Sequence, residues 1–262
     1  MIHLSVNYSN ALTNLIQNNN VRVDAVEVVQ KLSPAKIKHA RHSLPNTPFH
    51  FHAGRIGLQP ATATHPTLRH YLQLCPQSPF ISLHLALLPP MLTMLAFRMH
   101  IYLPAPNPDH LLKPFARRIK RLKTQADRPV ILENMPTLHP YKYRFESDPA
   151  IIRRVLDETD CPMLLDLAHA RVAAGARGRA VKDYIAALPL ERVRQVHVSG
   201  PRRRDGMLYD AHQSLQEEDY TLLAWVLERV QPTWLTLEYF REEVDTLREQ
   251  LLRLQALIKK FD

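Results

Sequence analysis

Cys161-Pro162-Met163-Leu164-Leu165-Asp166-Leu167-Ala168-His169-Ala170 decides the fold. An apolar run of strand type delivers an aspartate, and a histidine follows three residues later. No polar residue precedes Asp166 within the run. Such a strand is buried on both faces, as in a parallel sheet whose faces are covered by helices. A carboxylate and an imidazole at its C-terminal end stand where the active sites of α/β barrels are built.

Working outward, the same grammar recurs. Strands are expected at residues 3–8, 23–29, 49–54, 80–86, 129–134, 162–167, 193–198 and 233–238. Helical spacing is expected within 9–20 and over 33–42, 67–74, 110–123, 148–157, 181–187, 219–230 and 241–260, with a short helix around Met91–Arg98. Eight strands alternating with helices predict an α/β fold, a single (β/α)8 TIM barrel over residues 1–262. A chain of 262 residues suits it, since the fold takes about 250. No Gly- or Ser-rich linker divides the chain, and no fixed-period repeat is present.

The later strands end in chemistry. Strand three ends with His52, strand four with His84, strand five with Glu133, strand six with Asp166 and then His169. Strand seven carries His197, the loop after it Asp210-Ala211-His212, and strand eight Glu238. Each has an ordinary reading alone: Asp166 as a helix cap, Glu133-Asn134 as a cap, Asp210 and His212 as turn residues, Glu238 as a partner of Arg241, a lone histidine as a satisfied core residue. Asn7 and Glu27, on the early strands, either face the mouth or, the reading that ranks first, serve as barrel packing or a salt bridge. Jointly the later set converges on one barrel mouth. That many carboxylates and imidazoles repel or sit desolvated unless cations hold them. Imidazole and carboxylate without thiolate suit Zn, Fe or Mn. Nine ligands fit two or three ions with bridging carboxylates. The expected catalytic residues are Glu133, Asp166 and His197. Asn134, Arg55, Arg202 and Arg203 are candidate substrate contacts.

Composition bounds the rest. The 6 glycines form neither a GxGxxG nor a GxxxxGK[ST] loop, so no dinucleotide and no P-loop nucleotide is expected. Two cysteines make no disulfide framework, and the first residues lack the basic and apolar regions of a signal peptide. Cytoplasmic location is therefore expected, with no membrane span. A net charge of +9 leaves an anionic partner open, nucleic acid included, beside a merely solvated basic surface. The basic residues cluster in 117–123, read as a helix face, and in Arg202-Arg203-Arg204, read as a loop.

At the metal-type residues the chain resembles the xylose-isomerase-like TIM-barrel superfamily. The order His52, His84, Glu133, Asp166-x-x-His169, His197, Asp210-x-His212, Glu238 is similar to that of the trinuclear-zinc bacterial apurinic/apyrimidinic endonucleases. Local context is more similar to the multinuclear non-heme iron-dependent oxidative enzymes of the methanobactin-biosynthesis type. The similar stretches are Ile81-Ser82-Leu83-His84-Leu85-Ala86, Leu132-Glu133-Asn134, Phe145-Glu146-Ser147-Asp148, Leu164-Leu165-Asp166-Leu167, Val196-His197-Val198-Ser199-Gly200, Asp210-Ala211-His212 and Leu237-Glu238-Tyr239. The departure is Ala168-His169, where that branch usually carries Asn-Asn. The second resemblance implies iron, a Cys-containing peptide substrate and a partner protein that presents it. The first implies zinc or manganese and phosphodiester hydrolysis. A sugar isomerase or epimerase, needing fewer ligands, ranks last.

Overall fold

Inward and outward residues alternate along the barrel strands, and this alternation places the site. In the computed structural model, which describes residues 1–54, 66–87, 95, 98–101, 107–136 and 145–261 (the side chains of 66 and 67 excepted), β6 (Met163–Asp166) sends Met163 and Leu165 to the helix-covered core. Leu164 and Asp166 point into the barrel, where Leu164 packs in a small cluster with Phe80, Ile131 and Trp234. β5 (Val130–Glu133) repeats the pattern, with Val130 and Leu132 outward and Ile131 and Glu133 inward. The two-residue period therefore carries an apolar floor and a polar mouth on the same face of each strand.

β1 (His3–Asn7), β2 (Ala25–Val29), β3 (Phe49–Gly54), β4 (Ile81–His84), β7 (Val193–Val198) and β10 (Trp234–Leu237) complete the barrel. It closes in the order β1-β10-β7-β6-β5-β4-β3-β2, each pair parallel. The fold is the expected (β/α)8 barrel. Three layers fill it. The floor is Phe80, Ile131, Leu164 and Trp234, closed by His50, whose ring stands edge-on to Trp234 at 4.1 Å. Burial pushes His50 down to about 4, so it is neutral and serves as packing. Above it runs a polar belt, in which Ser5 and Thr236 are 2.6 Å apart and Gln195 donates to Thr236 and to Glu27. The third layer is the site.

The helices start on capping chemistry. Ser9 caps α1 (Asn10–Gln17), Ser33 caps α2 (Pro34–Ser43), Asn107 caps α4 (Pro108–Ala126) and Asp148 caps α5 (Pro149–Thr159), the last three followed by a proline in the first turn. α3 (Pro66–Leu74) also begins on proline. With glycine scarce, Asp127 and Asp160 take the left-handed conformation that ends α4 and α5. α8 (Glu217–Leu227) starts on a capping box between Gln216 and Asp219. In α9 (Val244–Ile258), Leu247, Leu251, Leu254 and Ile258 are buried on one stripe, and each such side chain contributes about 1.5–3 kcal/mol by burial.

Two expectations are corrected. The strand expected to run to residue 167 ends at Asp166, and α6 (Leu167–Ala176) follows without a linker, ahead of α7 (Val181–Ala186). Residues 167–176 are buried nearly all round, so they show no amphipathic stripe to read. The basic loop after β7 is instead an antiparallel hairpin, β8 (Gly200–Arg204) and β9 (Met207–Gln213). Its two-residue turn is Asp205-Gly206, with φ of 51° and 76°. Both central residues at positive φ fit the primed turns that close tight hairpins. The helix expected around Met91–Arg98 falls outside the described residues, Leu95 and Arg98 apart, as does Arg55.

The basic stretch 117–123 does form a helix face. Ile119 and Leu122 are buried, while Arg117, Lys120 and Arg121 are exposed. Lys123 donates to the carbonyls of Thr159 and Asp160 at the end of α5.

Candidate metal centre

The last inward residues of β3 to β7, the residue just beyond β10 and two residues of β9 meet in one network. His52 Nε2 and His84 Nε2 are 3.2 Å apart, and Glu133 Oε2 lies 3.5 and 3.2 Å from them. The other oxygen, Glu133 Oε1, is 3.1 Å from His169 Nδ1. His169 Nε2 faces Asp210 Oδ2 at 3.3 Å, and His212 Nε2 faces the same oxygen at 3.3 Å. Glu238 repeats the role of Glu133: Oε2 meets His212 Nε2 and Oε1 meets His197 Nδ1, both at 3.3 Å. Each glutamate thus offers its two oxygens to two different sets of histidines, which is how a bridging carboxylate is presented.

The side chains are aimed from behind. Ser82 Oγ sits 3.0 Å from His52 Nδ1, leaving Nε2 for the mouth. The Asn134 carbonyl is 2.9 Å from His169 Nδ1, which puts the proton there and leaves Nε2 free. A grouping of Glu133, Asp166 and His169 through Nδ1 is also within ligand reach, but the carbonyl contact makes His169 Nε2, with Asp210 and His212, the better set. Such outer partners fix tautomer and ring orientation. Asp166 has a double role: Oδ1 caps α6 by accepting from the His169 amide at 2.6 Å, while Oδ2 is buried without a hydrogen-bond partner.

Metal geometry fits this donor set. Ligand bonds of about 2.0–2.1 Å to nitrogen and oxygen place adjacent ligand atoms roughly 3.0–3.4 Å apart. His52, His84 and Glu133 already meet that spacing, with two imidazole nitrogens facing each other. The buried orphan atoms Glu133 Oε2, Asp166 Oδ2 and His197 Nδ1 all lie in the cluster. Buried polar atoms are rarely left unpaired, and here a cation would satisfy all three.

The network also predicts how protons compete. Burial disfavours the cations of His169 and His197, but the surrounding carboxylates (Asp166, Asp210 and Glu133 for the first, Glu27 and Glu238 for the second) raise both well above 6.5. Burial, reinforced by neighbouring carboxylates, raises Asp166 to about 7. Burial also opposes ionisation of Glu133 and Glu238, yet their histidines hold both well below 4.5. His52 runs the other way, lowered by burial.

For the metal-free protein the signs follow from linkage. Raised groups stabilise fully below their unfolded values and lose that as pH rises through their folded ones. Depressed glutamates stabilise fully above about 4.5 and lose it as pH falls. Asp166 therefore loses its contribution as pH rises from 3.8 to about 7, and His169 and His197 lose theirs as pH rises above 6.5, so the stability contributed by the cluster falls through neutrality. Binding of divalent ions displaces these protons. Titrating metal into metal-free protein at pH 7 should release more than one proton per chain, read by calorimetry in buffers of differing ionisation enthalpy. Release of none would contradict the ligand assignment.

A cavity of about 380 Å3 opens over the cluster, lined by His52, His84, Glu133, His169, Asp210, His212 and Glu238 with Lys31, Met135 and Phe240 on its walls. His84 and His212 are the exposed members, with side chains 25% and 26% accessible. Asp166 and His197 lie sealed beneath, at 0%.

The hairpin supplies Asp210 and His212. Ser199 Oγ holds Asp210 at 2.9 Å, and His212 takes φ of 47°. A histidine in the left-handed region carries backbone strain that clusters at functional sites. Gly200 is the hinge of this arrangement: a Cβ there would meet the carbonyl of Gln213 at 2.7 Å and overlap that of Ser214. Gly200→Ala should push β9 off β8, cost about 1–3 kcal/mol and lower the metal content, read by thermal melting and elemental analysis. An unchanged metal content would show that the hairpin carries no ligand.

The remaining candidates fall elsewhere. Asn134 uses both amide atoms on the backbone of Asp166, donating to its carbonyl at 3.0 Å and accepting from its amide at 2.8 Å. Its side chain thus holds the backbone of Asp166 in place. Arg202 donates to the carbonyls of Pro201 and Ser214, and Arg203 to that of Gly206, so both guanidinium groups close the hairpin. Glu27 belongs with the site: its Oε2 lies 3.4 Å from His197 Nε2, behind the nitrogen that faces Glu238. A lone glutamate inside Ala25-Val26-Glu27-Val28-Val29 was the available signal.

Comparison with known proteins gives the chain a family. A model of the family described as RiPP precursor modification enzymes MbnB/TglH/ChrH matches residues 6–259. The chain belongs to this family. Among its curated relatives are UPF0276 proteins of Acaryochloris marina, 28% identical over 137 residues, and of Paraburkholderia phytofirmans, 29% identical over 143. The alignments cover 52% of this chain and 50% and 47% of those proteins, so the chain spans about half the length of the curated relatives it matches. Solved structures share the fold. The 3-keto-D-glucoside 4-epimerase YcjR from E. coli is 16% identical, with a TM-score of 0.59 over 98% of this chain and 100% of its own. The protein SacUVDE is 12% identical, with a TM-score of 0.58 over 99% and 100%. These likenesses show the barrel fold, and no described helix is long and apolar enough to cross a membrane.

Proposed function

We propose that this protein is a multinuclear metal-dependent enzyme that oxidatively modifies a Cys-containing peptide, with two or three iron ions as its resident metals. The observation that carries the reading is the family match across residues 6–259 of a chain whose barrel mouth gathers nine imidazoles and carboxylates around two bridging glutamates. When bound, iron supplies one-electron redox steps and open coordination positions for a thiolate and for dioxygen. His52 and His84 with Glu133 form one binding group, His169, Asp210 and His212 another. Asp166, His197 and Glu238 would hold a further ion; His197 and Glu238 lie within ligand reach of one another and of Glu27, and Asp166 within ligand reach of Glu133 and His169. Glu133 faces the cavity and is positioned to contact the substrate side. Asp166 and His197, sealed beneath, hold and tune without touching substrate. Met135 and Phe240 wall the cavity and exclude water from one side.

The test is anaerobic reconstitution with Fe(II), then addition of oxygen and a Cys-containing peptide encoded beside the gene, with a partner protein if one is encoded there. Oxygen consumption beyond iron oxidation, with a mass change in the peptide, is expected. Neither appearing would count against the proposal.

A hydrolytic reading with zinc or manganese is favoured by His169 and by the +9 charge. There Glu133 would bridge two ions for in-line attack on a phosphodiester. Chelator-sensitive cleavage of abasic duplex DNA would establish it.

A further inference from the structure

Beside the metal cavity lies a second chamber of about 330 Å3, lined by Asn7, Tyr8, Glu27, Val29, Leu32 and Phe240, with Lys31 also on its wall. The two cavities share Val29, Lys31 and Phe240, so they adjoin across that wall. Asn7 ends β1 at an inward position, two residues beyond Ser5, and is 1% exposed. Neither its Oδ1 nor its Nδ2 has a hydrogen-bond partner among the described residues. Ser5, two residues back on the strand, is paired with Thr236, and Glu27, the register partner, accepts from Gln195 at Oε2 and leaves Oε1 without a hydrogen bond among the described residues.

We propose that this chamber is a subsite for a peptide amide of the substrate, held by Asn7 through both of its amide atoms. A side-chain carboxamide offers one acceptor and donors on adjacent atoms, the complement of a backbone C=O and N–H. The other walls, Val29, Leu32, Tyr8 and the face of Phe240, suit the uncharged body of a chain. A free anion would meet the carboxylate of Glu27 beside the ammonium of Lys31, and a metal ion would find one carboxylate and a neutral amide. A peptide residue whose side chain enters the metal cavity would thereby place its flanking amide across Phe240 against Asn7. This deepens the peptide-modifying reading and rests on it for the ligand class.

An asparagine kept for binding costs stability, because burying two unmet polar atoms is unfavourable. Asn7→Leu, close in volume, should therefore raise Tm by about 2–4 °C, whereas loss of a structural asparagine would lower it. The binding test uses metal-loaded protein kept free of oxygen and two probes, N-acetylcysteine N-methylamide and N-acetylcysteine methyl ester. Both carry the same thiol and the same N-acetyl amide; only the N-methylamide has the N–H of the amide on the C-terminal side of the cysteine, the amide this subsite would hold and whose N–H Oδ1 would accept. Wild type should bind the amide about three- to tenfold more tightly, the worth of one neutral hydrogen bond. Asn7→Leu should bind the two alike, and Asn7→Ala replaces it if the leucine variant does not fold.

Equal binding of both probes by wild type, binding of neither, or a preference that survives in the variants would overturn the subsite and leave Asn7 a hydrated wall residue. Failure of the function reading looks different: the amide preference persists while the iron-loaded enzyme consumes no oxygen with a Cys-containing peptide.

Discussion

Glu133→Ala should abolish activity, by about a thousandfold or more, and strip at least the ion of the His52 and His84 group from each chain. The expectation follows from geometry. Glu133 is the one carboxylate within ion-pair reach of His52, His84 and His169, at 3.5, 3.2 and 3.1 Å, using both oxygens. Truncation removes the carboxylate of the His52 and His84 group and the anion that faces His169 Nδ1. A metal site supplies several kcal/mol of charge stabilisation, and about 4 kcal/mol corresponds to a thousandfold in rate. The fold should survive, since the β5 backbone pairs with β4 and β6 whatever the side chain. In metal-free protein the loss of this buried anion leaves His52 and His84 to be held by no carboxylate. Elemental analysis and single-turnover rates on the variant check both halves. A variant that keeps its full metal complement would mean that Glu133 does not bridge.

The second large effect is expected at position 169. His169 Nε2 completes a group with Asp210 and His212. His169→Asn should lose one ion per chain and spare the group built on His52 and His84. It should also destabilise the metal-free protein at neutral pH. Asp166, Glu133 and Asp210 surround this imidazole, and Asp166 is the foremost attractive influence that raises it. Removing one partner of a buried ionic group costs about 3–5 kcal/mol. Metal should recover part of that loss in wild type and less in the variant. Denaturant melts with and without metal measure the difference. A variant as stable as wild type without metal would show that His169 is neutral there.

Much of this was legible in the sequence, because the barrel writes its site at regular places. His52, His84, Glu133, Asp166 and His197 are each the last inward position of their strand, and Glu238 follows β10 directly. A strand that is apolar up to such a residue announces it. The hairpin was missed although Asp205-Gly206 is a turn signal, because three consecutive arginines dominate the local pattern. α6 escaped because an Ala-rich helix buried on all sides has no stripe. Asn134 was read as a substrate contact, and only the structure shows both amide atoms bonded to the Asp166 backbone. Glu27 and Asn7 were set aside as packing, since nothing local separates an inward polar residue from a salt-bridged one. Their meaning lies in partners 168 residues away, as for Gln195 and Glu27, or in the lack of any.

The central claim is that the nine residues hold a cluster of ions rather than a hydrogen-bonded network. Elemental analysis of protein purified without oxygen tests it most directly. Iron at two to three ions per chain, falling on Glu133→Ala, is the predicted result. Protein that carries at most one weakly held ion, with a metal content unaffected by Glu133→Ala, would contradict it.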